Sequence, residues 1–393
     1  MAHSRTKTFG SHLLLPPISP SPSPSPTSFT KSLGRTVSAL SLPTSRLQSN
    51  RKLSPLGLTP QSRQVPKVSQ SIVATGSTGH IKSYAANSHI GIIRETNEDR
   101  VVINYRVSKP EDKDCENWPL ISYFGVFDGH GGSLCAEFLR DNLLDYILKQ
   151  PSFPETPVEA LKSGFDEAEN AFLSYVVHQS GSYDRSGSCV NVVLVIKDTC
   201  YVANVGDSRA ILSCERGMRL HELSHDHKPN CPSERERIEK VGGKVYANEL
   251  SPFTAFVSGE NQTVFRVLPG RLAISRSVGD ADSKLECFGG LKGAVIAEPE
   301  VRSFRVCKKY DFILIASDGI FDKLSNSEAI RAVWTAFEYP RLTFHGTCGE
   351  GVKKVIEEAL VRRTLDNVSA VLVAFKPLRD AFEELSSTCE KDR

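Results

Sequence analysis

The chain has 393 residues, 39% of them hydrophobic, enough for one large core or two ordinary ones. Its formal charge of +2 conceals an asymmetry: residues 1–94 carry eleven Lys or Arg and no acid, so residues 95–393 hold 37 bases against all 46 acids. A basic tail on an acidic domain argues against nucleic-acid binding by that domain and suits a protein that concentrates cations.

None of the ten cysteines forms a CxxC pair, and no zinc-like spacing occurs. Several lie inside apolar runs, as Cys200 does, where a thiol is a small core residue. A reducing compartment is therefore expected. No apolar run approaches the length of a membrane span.

Residues 1–80 hold ten of the 22 prolines and a literal Ser-Pro repeat from Ser19 to Pro26. Too few large apolar residues are present to offset ordering entropy, so this segment reads as a disordered tail. Its Ser-Pro and Thr-Pro pairs suit proline-directed phosphorylation of a cytoplasmic or nuclear protein. The alternative is an organelle transit peptide, plastid or mitochondrial, because the segment is acid-free and rich in Arg and Ser.

The folded domain is expected over 81–378, with a short C-terminal tail at 379–393. His89–Arg94 leads into Arg94-Glu95-Thr96-Asn97-Glu98-Asp99 and a strand at Val101–Val107. Pro119–Phe127 is a buried strand that ends abruptly in Asp128-Gly129-His130-Gly131-Gly132. Gly129 has no Cβ to obstruct whatever the Asp128 carboxylate binds. Gly131–Lys149 reads as a helix with Leu139, Leu143 and Ile147 on one face. A second helix is expected from Val158 to Gln179, with Val158, Leu161, Phe165, Ala168, Phe172 and Tyr175 as its core stripe.

Three strands follow at Cys189–Ile196, Thr199–Val205 and Arg209–Cys214. Their near-continuous apolarity implies burial on both faces. Pro232 opens a helix that runs to Lys240. Residues 244–270 lack periodicity and read as a surface flap. Phe312–Ala316 is another buried strand, ending in Ser317-Asp318-Gly319. Ser325 with Glu328 forms a capping box for the next helix. A last helix at Glu350–Arg363 and a closing strand at Val368–Phe375 complete the domain. The elements do not alternate βαβ, which favours an α+β fold: a central antiparallel β-sandwich flanked by helices on both faces.

Carboxylate-bearing turns recur at Glu98-Asp99, Asp128-Gly129, Asp207-Ser208, Asp318-Gly319 and Asp366-Asn367. Hard divalent cations want oxygen ligands, and a set of Asp side chains with one Gly carbonyl fits Mg²⁺ or Mn²⁺ and not zinc. Two such ions would hold a hydroxide nucleophile between them at neutral pH. Arg94 lies where it could clamp a phosphate through two hydrogen bonds.

Taken together these motifs resemble the PPM family of metal-dependent serine/threonine protein phosphatases, the type 2C phosphatases. The matching runs are Arg94–Asp99, Phe127–Gly132, Gly206–Arg209, Asp226–Pro229, Glu234–Ile238, Arg271–Asp280, Ala316–Asp322 and Asp366–Val368, in family order over about residues 84–376. The resemblance implies that Asp128 bridges two ions and that the Gly129 carbonyl and Glu98 bind one of them. Asp318 and Asp366 would bind the other, and Asp99 would fix water beside them. Asp207 and Asp322 would form a weaker third metal site. It further implies that Arg94 binds the phosphoryl group, that His130 protonates the leaving alkoxide, and that metal-bound hydroxide attacks phosphoserine or phosphothreonine in line. Asp226, His227, Arg276 and Asp280 are expected to hold loops. The implied partners are phosphoprotein substrates, with no nucleic acid, no transmembrane segment and a monomeric state.

Two departures stand out. Ser188-Cys189-Val190-Asn191 replaces a Thr-rich run, and the tryptophan of hormone-receptor-bound members is missing from the flap, since only Trp118 and Trp334 exist. Two rivals are weaker. A silent phosphoprotein-binding domain would lack a metal carboxylate, and none is missing. A nucleic-acid binder would have to act through its tail alone.

Overall fold

Strand β4 (Ile121–His130) is buried on both faces, and the two faces meet different neighbours. Phe124 and Val126 join a core that lies between two sheets, whereas Ile121, Tyr123 and Phe127 join a core beneath helices. This is the period-two alternation of a strand, and it explains why the sequence reads as an unbroken apolar run. Strand β13 (Tyr310–Ala316) repeats the pattern: Ile313 and Ile315 face inward, and Phe312, Leu314 and Ala316 face outward. Each fully buried side chain of this size stabilises the fold by about 2 kcal/mol.

This description rests on a computed structural model and covers residues 67–391, apart from 77, 114–115, 180–182, 250–262, 339 and 341. The first sheet takes β1 (Ile72–Val73), β2 (Ser83–His89), β14 (Val368–Ala374), β13, β7 (Arg209–Cys214) and β8 (Arg219–Glu222), in that order. The second runs β12 (Glu300–Arg305), β6 (Thr199–Val205), β5 (Gly187–Ile196), β4, β3 (Arg100–Asn104), with β11 (Val278–Gly279) beside the start of β5. The strand pairs are antiparallel. Helices α1 (Leu134–Lys149) and α2 (Pro157–Val177) cover the second sheet. Helices α6 (Asn326–Thr335), α7 (Phe344–Val361) and α8 (Lys376–Lys391) cover the first. The expected α+β sandwich with helices on both faces is the fold observed.

The capping box of α6 is present: the Glu328 backbone N–H donates to Ser325 Oγ, and the Ser325 N–H donates to the Glu328 carboxylate. Helix α3 (Pro232–Lys240) starts at its proline as expected. The flap is more regular than its sequence suggests, because β9 (Lys244–Glu249) and β10 (Thr263–Leu268) pair as a hairpin. Val158 and Tyr175, assigned to the core stripe of α2, are exposed at 36% and 53%. The buried stripe instead runs through Ala160, Leu161, Gly164, Phe165, Ala168, Phe172 and Val176.

The folded unit is longer than expected at both ends. Residues before 81 are not all tail: β1 pairs with β2, and Val68 and Ala74 are buried. Residues 379–393 were expected as a tail, yet α8 runs to Lys391 with Leu378 and Ala381 buried and Phe382 against Phe337 and Phe344. The expectation of disorder for residues 1–66 lies outside the described residues. No described helix is long and apolar enough to cross a membrane.

Candidate functional site: a carboxylate cluster at the end of the sandwich

The ends of β4 and β13, from opposite sheets, meet at one rim of the sandwich. Asp128 stands near the end of β4, two residues before its last, and Asp318 opens the short helix α5 (Asp318–Phe321) after β13 and one intervening residue. The Asp318 backbone N–H donates to Asp128 Oδ2 at 3.3 Å, joining residues 190 apart in the chain. Asp207, in the turn between β6 and β7, completes the group. Carboxylate oxygens of Asp128, Asp207 and Asp318 all lie within 4.8 Å of one another. A Cβ on Gly129 would lie 2.5 Å from the Glu98 carbonyl, so the loop carrying Glu98 can approach β4 only because this residue is glycine.

Electrostatics mark the group as short of cations. Burial pushes the Asp128 carboxyl well above its usual range, and Asp318, Asp99, Asp207 and Asp366 push it further. Asp318 is raised for the same reasons, burial first and then Asp207, Asp322 and Asp366. Asp99 is 3% exposed and raised to about 6, chiefly by burial; its Oδ2 accepts a hydrogen bond from Ser317 Oγ at 3.0 Å. Asp207 differs. Burial opposes its ionisation, but Lys228 Nζ is bonded to its carboxylate and holds it below the usual range. Cys189 Sγ also donates to Asp207 Oδ1, at 3.1 Å. A buried set of oxygen donors that repel one another fits hard divalent cations, which would relieve that repulsion.

The remaining expected residues lie around this group, some outside the tight cluster. Asp207, Asp318, Asp322 and Asp366 line one cleft of 630 Å³ with Lys228 and with Thr263, Val264, Phe265 and Arg266 of the flap. Asp366 does not join the trio; its Oδ2 is bonded to Arg94 Nη2 at 2.6 Å, and Arg94 Nε also donates to the Leu365 carbonyl. Glu98 is placed by Asn367, whose Oδ1 accepts from the Glu98 N–H at 2.9 Å and whose Nδ2 donates to the Ile90 and Thr96 carbonyls. His130 lies next to the site, with Nε2 at 3.0 and 2.9 Å from the two Asp280 carboxylate oxygens. Burial lowers its pKa, but the Asp280 carboxylate, with Asp207 and Glu98, leaves it raised.

Sequence reading did not single out Asn367, Lys228, Ser317 or Ser208. Ser208 Oγ donates to Asp128 Oδ2 at 3.4 Å. Each sits directly beside an expected residue or in a matched motif, and that adjacency was the available signal. Asp280, expected only to hold a loop, has its carboxylate on His130. Asp226 does hold its loop, through a two-point pair with Arg209 at 3.0 and 2.8 Å. His227 Nδ1 accepts from the Gly206 N–H, and burial lowers its pKa to about 4.

An antiparallel sandwich clad in helices, with buried carboxylates converging at one rim, is a candidate centre for hard divalent cations. The comparisons agree. Residues 88–368 match the family Protein phosphatase 2C. A rice relative, "Probable protein phosphatase 2C 27" of Oryza sativa subsp. japonica, is 34% identical over 257 residues, 65% of each chain. "Probable protein phosphatase 2C 59" of Arabidopsis thaliana is 35% identical over 65% of this chain and 70% of its own. This chain thus spans just under two thirds of the rice relative's length. A serine-threonine phosphatase 2C from Toxoplasma gondii shares the fold with a TM-score of 0.60 at 22% identity, over 78% of this chain and 98% of that one. A C. elegans sex determining protein does so with a TM-score of 0.61 at 21% identity, over 78% of this chain and 68% of that one. The chain belongs to the protein phosphatase 2C family, the metal-dependent protein serine/threonine phosphatases.

Proposed function

We propose that this chain hydrolyses phosphoserine and phosphothreonine in phosphoproteins with two bound Mg²⁺ or Mn²⁺ ions. The observation that carries the reading is the convergence of Asp128, Asp207 and Asp318, two of which have their pKa values raised by burial first and then by neighbouring carboxylates. Asp128 and Asp318 would be the central ligands, with Glu98, Asp366 and the Gly129 carbonyl completing the set. Asp99 orients water from behind them. Asp207 and Asp322 offer a third, weaker position, where a cation would compete with Lys228 for Asp207. The ions supply an activated water and neutralise charge on the phosphoryl group.

The protein's own residues do the rest. Arg94 is half exposed and bonded to Asp366; its guanidinium would bind the phosphoryl oxygens. His130 gives its proton to the departing serine or threonine oxygen. The protein acts as a soluble monomer on phosphoprotein substrates, in the cytoplasm or nucleus, or in an organelle if its basic N-terminus is a transit segment.

The test is phosphate release from a phosphothreonine peptide by the full chain with Mn²⁺, with Mg²⁺ and with EDTA, together with calorimetric ion titration. Metal-dependent turnover that disappears in Asp128→Asn and Asp318→Asn, with loss of tight ion binding, is expected. Ion binding without turnover by folded protein would overturn the catalytic reading.

A further inference from the structure

Outside the ligand set, one group of buried charges has no role in the reading above. Glu169 of α2 and Lys284 of α4 (Ala281–Lys284) form an ion pair in which the residues are 8% and 7% exposed. Removing two charges from water is costly, so such a pair is weak evidence of net stabilisation and directs attention to the geometry it holds. Its hydrogen bonds indicate which geometry. Glu169 Oε2 accepts the Gly279 N–H at 2.8 Å, and Lys284 Nζ donates to the Ser277 carbonyl at 2.7 Å. The pair therefore grips both sides of the Ser277–Asp280 turn.

That turn is strained. Gly279 and Asp280 follow each other with φ of +81° and +54°, and Asp280 is not a glycine. The strain delivers the Asp280 carboxylate to His130 Nε2, while Ser277 Oγ donates to Asp280 Oδ2 at 2.6 Å. The opposite wall is equally specific: a Cβ on Gly187 would lie 2.1 Å from Asp280 Oδ2 and 2.6 Å from His130 Nε2. With Nε2 occupied, Nδ1 is the nitrogen available to a leaving oxygen.

We propose that Asp280 is the positioning residue for His130, and that the buried Glu169–Lys284 pair fixes Asp280, so that the proton is delivered from His130 Nδ1. This rests on His130 being the proton donor. In the step, the bond from phosphorus to the serine or threonine oxygen breaks with its electron pair on that oxygen. The Nδ1 proton moves to it, and a neutral imidazole remains with its Nε2–H on Asp280. The attacking water supplies the new phosphorus–oxygen bond, and its proton returns to solvent.

The test compares the full-length, Mn²⁺-loaded protein on a phosphothreonine peptide and on p-nitrophenyl phosphate, whose leaving group needs no proton. A general acid contributes about a hundredfold or more, so His130→Gln is expected to lose that much on the peptide and only a few-fold on the aryl ester. Asp280→Asn is expected to show the same selective loss. The double variant Glu169→Gln/Lys284→Met, which leaves no lone charge buried, is expected to lose about tenfold on the peptide alone. If His130→Gln loses nothing selectively, the proton-donor reading fails. If His130→Gln is selective but Asp280→Asn and the double variant lose equally on both substrates, or on neither, the positioning proposal fails by itself. A measurement independent of any variant is the ¹⁵N spectrum of the Mg²⁺-loaded protein. An Nε2–H tautomer of neutral His130 is expected, and an Nδ1–H tautomer would overturn the assignment.

Discussion

Two of the buried charged clusters among the described residues solve the same problem in opposite ways. At the rim of the sandwich, burial first and then neighbouring carboxylates raise Asp128 and Asp318 well above the ordinary carboxylate range. On α3 itself, Glu234 is 4% exposed and both of its carboxylate oxygens accept hydrogen bonds. It accepts from Arg276 Nη2 at 2.6 Å, from Arg237 Nη2 at 2.8 Å and from Ser275 Oγ at 2.7 Å. These bonds outweigh its burial and hold its pKa at about 2. Burial alone therefore does not distinguish a site from a strut. The distinction lies in whether the protein provides its own counter-charge or leaves that place to an ion.

The largest expected effect breaks the first cluster. Asp128→Asn and Asp318→Asn should lower kcat/KM on a phosphothreonine peptide by roughly a thousandfold or more, about 4 kcal/mol of transition-state stabilisation. In EDTA the sign reverses. Asp318→Asn should raise stability in urea denaturation by about 1 kcal/mol, because it removes one of the repelling charges. A metal-free variant less stable than the parent would erase the contrast.

Breaking the second cluster should do the opposite. Glu234→Gln strands Arg276 and Arg237 and should cost about 3 kcal/mol, equally with and without EDTA. A loss confined to the metal-loaded protein would place Glu234 in the site rather than in the scaffold.

Acidity should separate the clusters by sign. Glu234 has a folded pKa of about 2, below its ordinary 4.5. Its contribution is complete above 4.5 and is lost as pH falls toward 2, so the difference between parent and Glu234→Gln should shrink over that window. Asp99 is raised from 3.8 to about 6. Its contribution is complete below 3.8 and is lost as pH rises through 6. Metal-free parent protein should therefore gain stability as pH falls from 7 to 5, and Asp99→Asn should gain less, by the share that Asp99 contributes. The smallest effect concerns neither cluster. Tyr175→Ser and Val158→Ser should stay within about 0.5 kcal/mol, whereas Phe165→Ala in the same helix should cost about 3 kcal/mol or more.

What was legible in the sequence was local. Strands buried on both faces announce themselves as apolar runs, so β6 and β7 are found to the residue, whereas β13 begins two residues earlier than expected and β4 runs three residues further, through Asp128-Gly129-His130. The capping box at Ser325 and the proline at the start of α3 fix helix starts by their own chemistry. Helix α7 shows the limit. Its first residues, Phe344 to Gly349, include two glycines, which argue against a helix. Contacts made elsewhere favour it: a Cβ on Gly349 would lie 2.5 Å from Val73 of β1, so the glycine lets helix and strand approach. Helix α8 was missed because its buried face is recognisable only once Phe337 and Phe344 are beside Phe382.

By itself, then, the sequence determined which carboxylates stand at strand ends and turns, and that they outnumber the local cations. Only the tertiary structure decided how they group. It placed Asp207 with Asp128 and Asp318, gave Asp366 to Arg94, and set Asp280 on His130 across 150 residues of chain. The physical reason is that periodicity and capping act over a few residues. The relative placement of two sheets, and so of the acids at their rims, follows from side chains such as Phe124, Val193, Ile313 and Val371 packing between them.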